Sequence, residues 1–117
     1  MDARALSHLA QARQVLCEAL LAANETGALA PALFSVAHTA LLLAGQGEPE
    51  RAVELYALAS RYPYLGNSRY WEDLAGQHIA AVAAKLPPGA IAAAQERGRA
   101  RDLDATVTEL LAELRET

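Results

Sequence analysis

Cysteine is nearly absent: Cys17 stands alone, so no intrachain disulfide can form and a reducing compartment is the simplest inference. Aromatic residues are scarce, at 5%, and alanine is abundant. The β-branched and aromatic side chains that favour strands are therefore in the minority, and an all-α chain is expected. Positive charge is not in excess either. Lys and Arg number 10 against 14 Asp and Glu, a net charge of -4, whereas a module that grips phosphates normally carries a basic face; no direct nucleic-acid binding is expected. No run approaches the ~20 apolar residues of a membrane span. The opening MDARALSHLAQ has neither the basic n-region nor the apolar h-region of a signal peptide. These absences point to a soluble, cytoplasmic protein with no membrane contact.

What is present is apolar content of 53% with 21% charged residues, which excludes a disordered chain. At 117 residues one domain with a continuous core is expected over 1–117. Periodicity and punctuation divide it into six helices, over 2–24, 31–44, 49–61, 68–86, 88–100 and 103–115. The first carries Leu6, Leu9, Leu16 and Leu20 on one side and is stopped by Thr26-Gly27. The second, with Leu33, Val36, Ala37, Ala40, Leu41 and Leu43, is apolar around so much of its circumference that it should be central. Gly45-Gln46-Gly47 ends it, and Pro49 with Glu50 opens the third. Pro63 and a loop at Tyr64-Leu65-Gly66 precede a fourth helix capped by Asn67 or Ser68, running through Trp71, Leu74, His78, Val82 and Leu86. Pro87-Pro88-Gly89 opens the fifth; Asp102 caps the sixth, whose stripe is Leu103, Val107, Leu110, Leu111 and Leu114. Short connections imply antiparallel hairpins.

Within the third helix Ala52, Tyr56 and Ala59 alternate small, large, small, and Ala12, Leu16 and Ala19 repeat the order 40 residues earlier (52 − 12 = 40). One helix hairpin per unit fits that step. Carried forward, the step gives Ala92, Glu96 and Arg99, which do not form a buried stripe.

Ala40, Gly47, Ala52, Tyr56, Ala59 and Pro63 in this order resemble the tetratricopeptide repeat, a helix hairpin with small residues where helices touch, a glycine at the turn and a closing proline. Val36 and Leu43 stand where that repeat has tryptophan and tyrosine. GEPERAVELYALA and LPPGAIAAAQERGRARDLDATVTELL look like the C-terminal helical repeats of large bacterial signalling ATPases and transcription regulators. That resemblance implies a right-handed stack of hairpins and an interaction or sensor role. The phosphate-binding pattern GxxxxGK[ST] is missing. The first helix has no preceding mate, which points to a fragment of something longer or to a face covered by another subunit; a homodimer through this helix is the specific expectation.

Candidate functional residues fall into two groups. Arg97, Arg99 and Arg101 form the densest basic cluster, read either as a contact for phosphate or acidic peptide or as charge complementing a helix C-terminus. Tyr62, Tyr64, Tyr70 and Trp71 crowd one hairpin turn and either contact a partner or plug the gap left by an irregular loop. His8, His38 and His78 lie on different helices without a second ligand at metal-type spacing, so no metal or other cofactor is expected. Ser35 and His38 share a face, but nothing indicates an orienting carboxylate or an oxyanion site. The reading is a non-enzymatic interaction or regulatory module; the alternative is a small-molecule sensor with its ligand on a concave face.

Overall fold

The computed structural model describes residues 3–116, but not the side chains of residues 5–9 and 116. Leu6, His8 and Leu9, and the start of the first helix at Asp2, lie outside the described residues. The chain is all-α, with helices α1 (Ala3–Thr26), α2 (Leu29–Gly45), α3 (Pro49–Ser60), α4 (Pro63–Gly66), α5 (Arg69–Trp71), α6 (Gln77–Ala83), α7 (Pro88–Ala100) and α8 (Leu103–Glu116). A π-helical turn, Glu72–Gly76, joins α5 to α6.

The helix boundaries follow from local chemistry. Gly27 and Gly47 both take positive φ, +66° and +80°, at the two turns that end α1 and α2, where any side chain would be strained. Pro49 opens α3, where its missing N–H costs nothing. Of the two proposed caps for the fourth helix, Ser68 acts: its Oγ accepts from the Trp71 N–H at 3.3 Å. Asp102 Oδ2 accepts from the Ala105 N–H at 2.8 Å and caps α8. The expected loop at Tyr64-Leu65-Gly66 is instead the single-turn α4, with Pro63 at its first position and the Tyr62 carbonyl accepting from the Leu65 and Gly66 N–H groups.

A second correction concerns the fourth helix. The buried stripe is Trp71, Ala75, Ile79 and Ala83, while Leu74 and His78 are exposed and Val82 half-buried. A strict four-residue spacing drifts by about 40° per turn on a helix of ~3.6 residues per turn. The π turn, whose hydrogen bonds close over five residues, absorbs the surplus and keeps all four side chains on one face. The helix then ends at Ala83, three residues short of Leu86.

Helix α2 is central, touching α1, α3, α6 and α8, and its Leu33, Val36, Ala37 and Ala40 are fully buried. Ala52 and Ala59 of α3 are fully buried too, so backbones close up there as the small-large-small pattern requires. The last hairpin does not simply extend the row. Helix α7 packs against α3, and α8 returns to lie on α1 and α2. Gly98 makes the first contact possible, since a Cβ built there would collide with the Glu54 carbonyl oxygen and press on Ala57 Cβ. Leu103, Val107, Leu110 and Leu111 bury the inner face of α8.

Candidate partner-binding grooves

Two grooves on the surface of the described residues bear on function. The first runs between α1 and α2 and encloses about 880 Å³; its walls include Ala12, Val15, Leu16 and Ala19 from α1 and Phe34 and Leu41 from α2. None of its lining residues is Asp, Glu, Lys or Arg. Val15 stands in the middle at 63% exposure, a β-branched apolar side chain left in water. Sequence reasoning placed Ala12, Leu16 and Ala19 at a helix contact, and the face does have that form. Leu16 is buried, but Ala12 and Ala19 are only half-covered. The equivalent face of α3 is covered: Tyr56 at its centre reaches α5, its OH donating to the Trp71 carbonyl at 3.3 Å.

An aromatic cluster extends the first groove. Phe34 packs on Trp71 with ring centroids 5.3 Å apart and on Tyr64 at 5.9 Å, while Tyr70 meets the Trp71 ring edge-on at 5.6 Å. His38 also meets Trp71 edge-on, at 4.9 Å. Its Nδ1 donates to the Phe34 carbonyl at 2.8 Å, which fixes the ring. The four aromatic candidates thus divide. Trp71, expected among the partner contacts, is only 5% exposed and serves as the plug. Tyr62 is half-buried; Arg61 lies 5.0 Å from its ring centroid and donates to its hydroxyl. Tyr64 and Tyr70 are exposed at 64% and 67%. Phe34, His38, Val15 and Leu41 were missed as groove residues, although Phe34, His38 and Leu41 stand at offsets of four and seven on one helix, the spacing of a shared face.

The basic cluster is largely internal bracing. Both Arg97 and Arg101 hold Glu54 of α3, Nε to carboxylate oxygen at 2.8 and 2.6 Å, and Arg101 also reaches Glu109 of α8 at 3.1 Å. Arg61 donates to the carbonyls of Arg99 and Arg101 at 2.6 and 3.1 Å, covering acceptors at the end of α7. Arg99 alone of the three has its side chain outside this ion-pair network, on the wall of the second groove. Burial acts to raise the Glu54 pKa, but the hydrogen bonds and charges of Arg97 and Arg101 more than offset it and hold the carboxyl below its ordinary value of 4.5. A depressed carboxyl binds fewer protons folded than unfolded. Its contribution is therefore complete above pH 4.5 and is lost as pH falls through its folded pKa. Glu54→Gln is expected to lower stability at neutral pH and to flatten the acid limb of the stability–pH curve. Urea unfolding at neutral pH and below pH 4.5 checks this, and two parallel curves would show the pair to be inert.

The second groove, about 510 Å³, lies over α3 between α6 and α7 and is lined by Tyr56, Ser60, Glu72, Ile79, Ile91 and Arg99 among others. Burial, then the nearby Glu72 charge, raises the Tyr56 pKa, and the Ser60 hydroxyl partly offsets this. The phenol therefore stays protonated at neutral pH and donates to the Trp71 carbonyl.

Among the described residues no group of three His, Cys, Asp or Glu side chains converges in a way that could hold a metal ion, and no helix is long and apolar enough to cross a membrane. Compared with protein-family models, curated proteins and solved structures, the chain has no match in any of the three.

Proposed function

We propose that this chain is a non-catalytic interaction module of tetratricopeptide-like build, of the kind found at the C-terminal end of bacterial signalling ATPases and regulators, and that it receives an apolar helix in the α1–α2 groove. The observation that carries this reading is the groove itself: an uncharged trough with an exposed valine at its centre and two exposed tyrosines beside it. Exposed apolar surface that is contiguous rather than scattered marks an association site. Helix-in-groove recognition needs what is present here, small side chains that admit a backbone and larger ones that anchor it. For the small-molecule reading, two polar groups around the second groove are already engaged, Tyr56 with the Trp71 carbonyl and Arg61 with the end of α7, while among the described residues Ser60 and Arg99 on its wall are not.

The test uses the dye 8-anilinonaphthalene-1-sulfonate over a protein dilution series. The dilute wild-type chain is expected to enhance its fluorescence. Val15→Glu, which sets a carboxylate in the trough, is expected to remove most of the signal with the far-UV spectrum unchanged, since an exposed substitution shifts stability by only about 0.5 kcal/mol. Dye binding absent at every dilution, or untouched by Val15→Glu, would count against the groove.

A further inference from the structure

Resting on that docking reading, we infer that the helix received by the α1–α2 groove is α1 of a second copy, running antiparallel, with Arg4 of each copy opposite Glu25 of the other. Two features of α1 carry this. Ala12, Val15, Ala19 and Ala22 form one strip along the groove side, with spacings of three and four, the pattern of a helix–helix seam. Beside that strip, Arg4, Gln11, Glu18 and Glu25 recur at every seventh position, all exposed. Seven residues make nearly two turns, so these four form a single row on one flank of the seam. Neither Arg4 nor Glu25 has an ion-pair partner among the described residues.

The order of signs along this row selects the orientation. A two-fold axis through the seam near Val15 that reverses the second helix brings each flanking row alongside its own copy. Arg4 then stands level with Glu25 of the other chain, to within about 1.5 Å along the axis, one residue's rise. Gln11 stands level with Glu18, which its amide can reach as a donor. A parallel in-register pair offers no such match: it would place the row of each copy against the opposite flank of the other α1, the side turned towards α2. Exposed charges beside a helical seam typically set orientation in this way.

The uncharged trough accepts the arriving helix without burying an unpaired charge, and reciprocal seating of two α1–α2 hairpins makes a four-helix arrangement with α1 covered in both copies. Helix α1 has 24 residues and is about 36 Å long. A contact strip two helices wide, roughly 20 Å, gives on the order of 700 Å² per copy, close to the ~800 Å² per partner of a standard-sized interface.

Sedimentation equilibrium on the full chain tests the orientation through charge exchange. The wild type is expected to dimerise. Arg4→Glu and Glu25→Arg, each turning two attractive pairs into repulsive ones, are expected to weaken the dimer by about tenfold or more, and the double exchange to recover most of the loss at low ionic strength. A double variant no tighter than the singles would overturn the antiparallel register. A wild-type dimer indifferent to Val15→Glu would place the contact on another face and overturn the proposal. A wild-type monomer that still binds the dye in a Val15-dependent way also overturns it, but leaves the groove as a docking site for another protein; a monomer that binds no dye removes both.

Discussion

Gly98→Ala should lower the thermal midpoint by on the order of 10 °C, the largest effect expected for so small a change in this chain. Adding a methyl group inside a close contact typically costs about 1–3 kcal/mol. At Gly98 the obstacle is the Glu54 carbonyl on the backbone of α3, which cannot swing aside as a side chain would. The cost should then lie at the upper end of that range, about 3 kcal/mol, and the ~1 kcal/mol of helix propensity that alanine gains over glycine does not recover it. Gly89→Ala near the start of the same helix, with open space around it, is the control and should be neutral or slightly stabilising. The same displacement of α7 would pull Arg97 and Arg101 away from Glu54, so the variant should also lose its acid-dependent component. An unchanged midpoint would mean that α7 rides higher on α3 than described.

Trp71→Ala is expected to destabilise by about 3–5 kcal/mol, the range for emptying the site of a large buried aromatic. Tyr64→Ala and Tyr70→Ala should cost far less, because both rings are mostly in water. Loss of Trp71 would empty the space between Phe34, His38 and Tyr70 and remove the ring that backs Phe34, a wall residue of the α1–α2 groove. Chemical unfolding of the three variants separates the roles. If Tyr64→Ala unfolds the chain as readily as Trp71→Ala, the cluster is all plug; if Trp71→Ala is silent, it is no plug at all.

These two residues also show what the sequence could and could not express. Gly98 was legible as the sign of either a close helix contact or a bend, because glycine inside a helix needs a reason, but which of the two, and against what, was not: nothing local says that α7 lies on α3. Trp71 was legible as exceptional, yet its burial depends on Phe34 and His38 of α2, more than thirty residues away. The helices themselves were legible where the punctuation is covalent, at Gly27, Gly47, Pro49 and Pro88, and least so between Pro63 and Ala83. There the four-residue spacing of Trp71, Ala75, Ile79 and Ala83 reads poorly against a 3.6-residue period, and the more hydrophobic Leu74 and Val82 suggest the wrong face. The alanine repeat was legible as two small-large-small faces, of which the one on α3 is buried at Ala52 and Ala59. Sequence spacing gave no sign that α3 finds its cover within the chain while α1 leaves Ala12 and Ala19 only half-covered. Of the basic cluster, the acidic residues flanking the arginines, Glu96, Asp102 and Asp104, were visible along the chain, but the pairing of Arg97 and Arg101 with Glu54 is a product of the fold.

The five-residue turn at Glu72–Gly76 has a genetic corollary. Losing one codon between Trp71 and Ala75 would change the buried spacing from four, four, four to three, four, four, a run that closes about three full turns of regular α-helix, so Ile79 and Ala83 would keep their side of the helix without the wide turn. The stretch that carries exposed Glu72, Asp73 and Gln77 should thus accept loss of a single residue as well as point substitutions on its wet side, whereas one further inserted residue would turn the rest of the helix off the core.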